Sequence, residues 1–174
     1  MPDRVIRHGR VELDDWTLVG VASPDELARP LPDGPVAVPL PYWKENRVEL
    51  LARRAPAGVW LGPDDEPRDL AADLASVQFV AIQFPKFTDG RGYSTAALLR
   101  TRYGYHGELR AFGDVGRDQL FYLRRCGFDA FSLAPHRDPE AALAGLQDFS
   151  IRYQGSVDDP VPLFRKRSAT GVSR

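Results

Sequence analysis

The chain has 174 residues, of which 43% are hydrophobic and 27% charged, values typical of one soluble globular domain and not of a disordered chain. The formal net charge of -1 gives no electrostatic support for nucleic acid or an anionic membrane as a partner. Cys126 is the only cysteine, which excludes an internal disulfide or a redox pair, and no apolar run is long enough for a signal or a membrane span. These features predict a cytoplasmic protein.

The first 35 residues predict a strand or hairpin extension and a loop, both packed on the main domain. Residues 5–19 are typical of a short hairpin whose bend is Arg7-His8-Gly9-Arg10. The segment 23–35 is rich in proline, which favours a loop with one helical turn after the Ser23 cap. This region is therefore interpreted as an appendage of the main domain.

Residues 36–154 repeat a short apolar run followed by a segment of helical period, which predicts five βα units. The predicted strands are 36–42, 58–61, 77–84, 108–112 and 129–133, and the predicted helices are 45–54, 66–75, 94–103, 117–126 and 138–147. Residues 149–153 supply a candidate sixth strand. In the first helix, Val48, Leu51 and Ala52 share the face expected to be buried.

This alternation predicts an α/β fold with a mostly parallel, five- to six-stranded sheet and helices on its faces, in three layers. An open sheet is favoured because a closed (β/α) barrel normally needs about 200 residues or more. A half-barrel arc is the alternative. The residues from 155 to 174 are rich in Pro, Ser and Gly with a basic end, and are expected to be mobile or to lie across the surface.

Two similar sequences follow successive strands: Asp89-Gly90-Arg91-Gly92 and Asp114-Val115-Gly116-Arg117. The carboxyl ends of parallel strands meet at one edge of a sheet, where ligands usually bind in open α/β folds. The candidate ligand or partner site is formed by Lys86, Asp89, Arg91, Tyr93, Ser94, Asp114, Arg117 and Gln119. The arginines suit an oxyanion. An equally weighted interpretation is a structural network in which each arginine pairs with an aspartate of the neighbouring loop.

No motif identifies a catalytic residue, a metal or a cofactor. Neither a dinucleotide fingerprint nor a phosphate-binding loop is present, and Ser94 lacks a nucleophile elbow. His8, His106 and His136 lie in three separate segments without the spacing of metal ligands. The sequence therefore predicts neither a metal nor a cofactor.

The run FPKFTDGRGYSTAALLRTRYGYHGELRAFGDVGRDQLFYLRRCGFDAF, residues 84–131, resembles an uncharacterised bacterial family of unknown function. Its members are often described as "oxidoreductase probably involved in sulfite reduction", and the resemblance extends from about Asp15 to Tyr153. It implies a place in sulfate assimilation, beside sulfite reductase, but no catalytic residues. The residues themselves offer no electron-carrying group.

Three functions follow from these observations. The first is an accessory protein of assimilatory sulfite reduction that binds a partner reductase, or an oxyanion, at the strand ends. The second is a small enzyme whose phosphate, sulfate or carboxylate substrate is held by Arg91 and Arg117, with Asp89 or Asp114 as acid or base. The third is a structural interaction module that uses the segment Val161-Pro162-Leu163-Phe164. An enzyme should have a concave pocket at the strand ends, and an adaptor an exposed apolar surface.

Overall fold

A computed structural model describes residues 4–149 and 153–170. The strands are β1 (Arg4–Arg7), β2 (Arg10–Leu13), β3 (Thr17–Leu18), β4 (Val36–Pro39), β5 (Ala57–Leu61), β6 (Phe79–Phe84), β7 (Glu108–Gly113) and β8 (Ala130–Phe131). The α-helices are α1 (Leu40–Leu51), α2 (Arg91–Thr101), α3 (Leu120–Arg125), α4 (Pro139–Ala142) and α5 (Leu163–Thr170). Short 3-10 helices cover Pro24–Ala28, Pro67–Leu70, Arg117–Gln119 and Leu143–Gln147.

All eight strands form one open sheet in the order β2-β1-β8-β7-β6-β5-β4-β3. The strands β3 to β8 are parallel and adjacent in chain order, whereas β1 pairs antiparallel with both of its neighbours, β2 and β8. The α/β class and the mostly parallel sheet are thus confirmed. The predicted count of five to six strands is wrong, because the N-terminal hairpin and β3 join the sheet at its two ends.

The helices α1 to α4 cover a single face of the sheet. Most of their buried side chains belong to one cluster with Val59, Val80 and Leu109. The helical members of this cluster are Leu40, Trp43 and Leu50 of α1, Ala96 and Leu99 of α2, Leu120 and Leu123 of α3, and Ala142 of α4. The predicted three-layer arrangement is therefore wrong. When every strand is added beside the preceding one, right-handed crossovers place all the helices on the same side.

The opposite face of the sheet is covered by the N-terminal segment. Phe79 and Phe112 are buried there with Trp16 and Trp60 packed against them. The Trp16 ring stacks on Phe79 with a centroid separation of 4.2 Å, and the Trp60 indole N–H donates to the carbonyl of Val19 at 2.8 Å. Residues 14–19 thus replace the second helical layer that was expected.

Several element boundaries differ from the predictions. α1 starts directly after β4, five residues before the predicted start, so it buries Trp43 and leaves Val48 81% exposed, contrary to the predicted face. The predicted helix 66–75 is a 3-10 helix of four residues, although Leu70 and Leu74 do face the core. The candidate strand 149–153 lies largely outside the described residues. The tail contains α5, which the sequence did not predict.

Candidate functional site

The loops that follow β6 and β7 lie side by side at one edge of the sheet, called here the carboxyl edge. Phe84 and Gly113 are register partners at the ends of these parallel strands. The backbone N–H of Asp114 donates to the carbonyl of Phe84 at 2.7 Å, and the Asp114 carboxylate accepts from the backbone N–H of Phe87 at 2.9 Å. The two similar Asp-Gly-Arg turns are therefore neighbours, as predicted.

Arg91 is held by two carboxylates at this edge. Its Nε and Nη2 atoms donate to Oδ1 and Oδ2 of Asp89 at 3.0 and 2.7 Å. Its Nη1 atom donates to Asp64, in the loop after β5, at 2.6 Å. The hydrogen bonds from the Arg91 side chain lower the pKa of Asp89 to about 2, and those with Asp89 and Asp64 raise the pKa of Arg91. An incoming anion would have to displace these carboxylates.

The Asp89 carboxylate should therefore titrate about two pH units below an ordinary aspartate, whose pKa is about 3.9. Because the folded-state pKa is the lower one, the contact stabilises the folded state above about pH 4, and its contribution disappears as the pH falls through about 2. Carboxyl-carbon NMR against pH measures this value directly. In Arg91→Gln the pKa of Asp89 should return towards about 3.9; the same pKa in both proteins would contradict the pairing.

Arg117 points away from this cluster. Its Nη2 atom donates to Oδ1 of Asp148 at 2.7 Å, in the segment that follows the 3-10 helix Leu143–Gln147. Asp114 instead accepts from the backbone N–H of Phe87. Arg91 thus pairs with an aspartate of a neighbouring loop, Asp64, whereas Arg117 pairs with Asp148. The Asp and Arg side chains are on one edge but do not converge on a common centre.

Gln119 and Tyr93 form the framework under these loops. Gln119 is buried, and its side chain accepts from the backbone N–H of Gly116 at 2.9 Å and donates to the carbonyl of Phe87 at 3.3 Å. Burial raises the pKa of Tyr93, whose side chain also hydrogen-bonds with Gln119. The Tyr93 ring meets Phe84 edge-on at 5.4 Å. Both residues thus support the loop between β6 and α2 from below.

The loop between β6 and α2 presents the remaining candidates to solvent. Lys86 is exposed and forms no ion pair with any described residue, and Phe87 is 46% exposed. Ser94, in the first turns of α2, is also exposed. Phe87 is not among the predicted site residues. Its position after a strand end, between Lys86 and Asp89, could have indicated an exposed aromatic side chain at the site.

Gly113 ends β7 in a backbone conformation that a side chain would disturb. Its φ is +102°, and a Cβ atom there would overlap the carbonyl oxygen of Phe84. Gly113→Ala should therefore destabilise the fold by at least about 2 kcal/mol, measured by urea denaturation. Gly90→Ala is the matched control, because its Cβ meets no atom within 4 Å, and should change stability by less than about 0.5 kcal/mol. Equal losses of stability in Gly113→Ala and Gly90→Ala would show that the close contact of Gly113 with Phe84 does not require a glycine.

A buried charge cluster on the face opposite the helices was not predicted. Arg110 of β7 is 0% exposed and donates to Asp14 at 2.6 Å and to Glu108 at 2.8 Å. Its guanidinium lies 4.5 Å from the centre of the Phe79 ring. Arg7 of β1 contacts the other Glu108 oxygen at 2.9 Å. A single arginine inside the apolar run of β7 could have indicated a buried ion pair from the sequence. Through Asp14, Arg110 attaches the N-terminal segment to the sheet.

A cavity of about 640 Å³ lies at the opposite, amino edge of the parallel strands. It is lined by His8, Gly9, Arg124, Phe128, Asp129, Phe131, Leu143, Ala144, Leu146 and Gln147. None of the predicted site residues is among them. Sequence reasoning missed this cavity because its wall combines the β1–β2 turn with residues more than 100 positions later.

Within residues 4–149 and 153–170, no three His, Cys, Asp or Glu side chains are grouped so as to hold a metal ion. No helix in the described part of the chain has the length and apolar character needed to cross a membrane.

No curated protein matches the chain significantly. A family model described as "Bacterial protein of unknown function (DUF934)" matches residues 58–164, which include the carboxyl edge and most of the cavity wall. The chain therefore belongs to this bacterial family, DUF934.

Proposed function

We propose that the protein is an accessory protein of assimilatory sulfite reduction and binds its partner reductase through the carboxyl edge. The docking proposal is based on the β6–α2 loop, which exposes the side chains of Lys86 and Phe87 while its backbone is held by hydrogen bonds. Asp114 and Gln119 hold the N–H and the carbonyl of Phe87, so the loop needs little ordering when a partner binds. Aromatic residues are enriched in protein interfaces.

The strand order supports docking over an enclosed small-molecule site. In doubly wound sheets the crevice for a ligand forms where the strand order reverses. The strands β3 to β8 run in chain order without such a reversal. The carboxyl edge is therefore better suited to contact another protein surface than to enclose a substrate.

The pairing of the arginines weakens the case for an oxyanion or an enzyme at this edge. Arg91 donates to Asp89 and Asp64, and Arg117 donates to Asp148. A substrate anion would have to replace these contacts. If the protein were an enzyme that uses these arginines, Arg91→Ala and Arg117→Ala would abolish function; docking through Phe87 predicts that both variants keep it.

The place in sulfite reduction is supported by the resemblance of residues 84–131 described above. An accessory role fits the composition of the chain, because a single cysteine forms neither a redox pair nor an iron–sulfur ligand set. The electron transfer would then belong to the partner. The purified protein is expected to show no reductase activity by itself.

Growth on defined sulfur sources tests the pathway. A deletion strain should grow on sulfide or cysteine but not on sulfate or sulfite, and the wild-type gene should restore growth on both. Growth of the deletion strain on sulfite would place the protein before the reductase step and contradict the proposal. Normal growth on every source, in a host with no second copy, would also contradict it.

A further inference from the structure

The strand β2 ends the sheet on one side, and the structure describes no strand beyond it. Three of its four residues, Arg10, Glu12 and Leu13, are exposed. Leu13 is 65% exposed although it is a large apolar residue within a strand. An unpaired strand edge offers backbone N–H and C=O groups to a second strand. The outer side of β2 is therefore a surface to which another strand can be added.

The backbone groups that face outward from β2 belong to Val11 and Leu13. Just after β1, the N–H of His8 donates at 3.2 Å to the carbonyl of the residue that precedes β8. Because the direction of backbone groups alternates along a strand, those of Arg7 face β2 and bond to its register partner, Arg10. The same alternation along β2 points the groups of Val11 and Leu13 away from the sheet.

The charged side chains of β2 are incompletely neutralised. Arg10 and Glu12 are two positions apart and so lie on the same face of the strand. Among the residues that the structure describes, Arg10 has no ion-pair partner. Glu12 pairs with Arg7 at 3.2 Å, but Glu108 and Asp15 contact the same arginine at 2.9 and 3.6 Å. Since three carboxylates share one arginine, Glu12 is able to accept a second cation.

This charge pattern fits β2 to a second copy of itself. Two copies related by a two-fold axis pair their edge strands antiparallel. An axis at Arg10 or at Glu12 would place identical charges opposite each other, and an axis at Leu13 would place Glu12 opposite Asp14. An axis at Val11 instead places Arg10 of each copy opposite Glu12 of the other. Opposite charges stabilise a cross-strand pair and like charges destabilise it, so the register centred on Val11 is favoured.

We propose that the protein forms a two-fold symmetric dimer through β2, in which Val11 of one copy lies opposite Val11 of the other. Each Arg10 pairs with Glu12 of the second copy, and the two sheets become continuous. Leu13 lies opposite Gly9 of the second copy, where a Cβ position has no atom within 4 Å and leaves room for the leucine. The dimer does not depend on docking through the carboxyl edge.

Sedimentation equilibrium measures the dimer. The wild type should reach twice the 19.4 kDa of one chain, with a dissociation constant below about 100 µM. Arg10→Glu and Glu12→Arg each convert two opposite-charge pairs into like-charge pairs, so each should dimerise at least about tenfold more weakly. A wild type that stays monomeric in this concentration range, or an unchanged dissociation constant in either variant, would overturn the proposal.

An equimolar mixture of the two variants tests the register. In the mixed dimer the acidic strand of Arg10→Glu faces the basic strand of Glu12→Arg, so both opposite-charge pairs return and dimerisation should recover. Arg54→Glu is the control, since Arg54 is an exposed arginine in the turn after α1, and it should dimerise as the wild type does. No recovery in the mixture, or an equal loss in Arg54→Glu, would overturn the assignment.

Amide hydrogen exchange locates the interface and needs Arg10→Glu alone. The N–H groups of Val11 and Leu13 should exchange more slowly in the dimeric wild type than in Arg10→Glu, because only the dimer bonds them. The N–H of Glu12 faces its register partner in β1 and should exchange equally in both proteins. Equal exchange of Val11 in the two proteins would overturn the proposal, even if Glu12→Arg did not fold.

Discussion

Arg110→Met is expected to lower the free energy of unfolding by about 3–5 kcal/mol, the range for breaking a buried ion pair. Methionine keeps much of the contact with Phe79 but leaves the Asp14 carboxylate, 7% exposed, without its charged partner. The β1–β2 hairpin and residues 14–19 should loosen together, because Asp14 and Glu108 are bridged by this side chain. Urea denaturation followed by circular dichroism measures the change.

A double variant separates charge from packing. In Arg110→Met/Asp14→Asn the orphaned carboxylate is removed, so the loss should be smaller than the sum of the two single losses. Arg91→Ala is the matched control for an exposed arginine with two carboxylate partners and should cost no more than about 1 kcal/mol. Equal losses for Arg110→Met and Arg91→Ala would show that burial of the pair does not matter for stability.

Phe87→Asp is expected to abolish complementation of the deletion strain on sulfate and sulfite while leaving the fold intact. The side chain is 46% exposed, so its removal takes little apolar surface out of the core. A carboxylate at this position would place an unpaired charge at the centre of the proposed interface. Growth rate on sulfite and the thermal midpoint of the purified variant are the two measurements.

Phe164→Asp is the control for Phe87→Asp. Phe164 is a comparably exposed aromatic residue of α5, 55% exposed, and it belongs to the segment of the alternative interaction module. Docking through the carboxyl edge predicts normal growth for this variant. Loss of growth with Phe164→Asp and normal growth with Phe87→Asp would show that the partner binds the C-terminal segment and not the carboxyl edge.

The central strands were predictable because each is a short apolar run that local periodicity detects. β6 and β7 lie within the predicted ranges or one residue beyond them, and α2 and α3 follow with Ala96, Leu99 and Leu120 inward as expected. β3 was not predictable in this way. It has two residues, and its place beside β4 is set by backbone pairing with Val36 and Ala37, which no local pattern records.

The single helical layer was not predicted because strand order is a tertiary property. Alternating βα units are compatible with doubly wound sheets and with strands added in sequence. The second face is covered by Trp16 and Trp60, which local pattern reading did not assign to a layer. The pairing of Arg91 with Asp64 was missed for a related reason, since it joins loops 27 positions apart.

Titration of the host's assimilatory sulfite reductase with this protein, followed by isothermal calorimetry, tests the docking claim most directly. Docking through the carboxyl edge predicts saturable binding of the wild type, at least about tenfold weaker binding of Phe87→Asp, and unchanged binding of Arg91→Ala and Phe164→Asp. No binding of the wild type, or equal binding of Phe87→Asp and wild type, would contradict it.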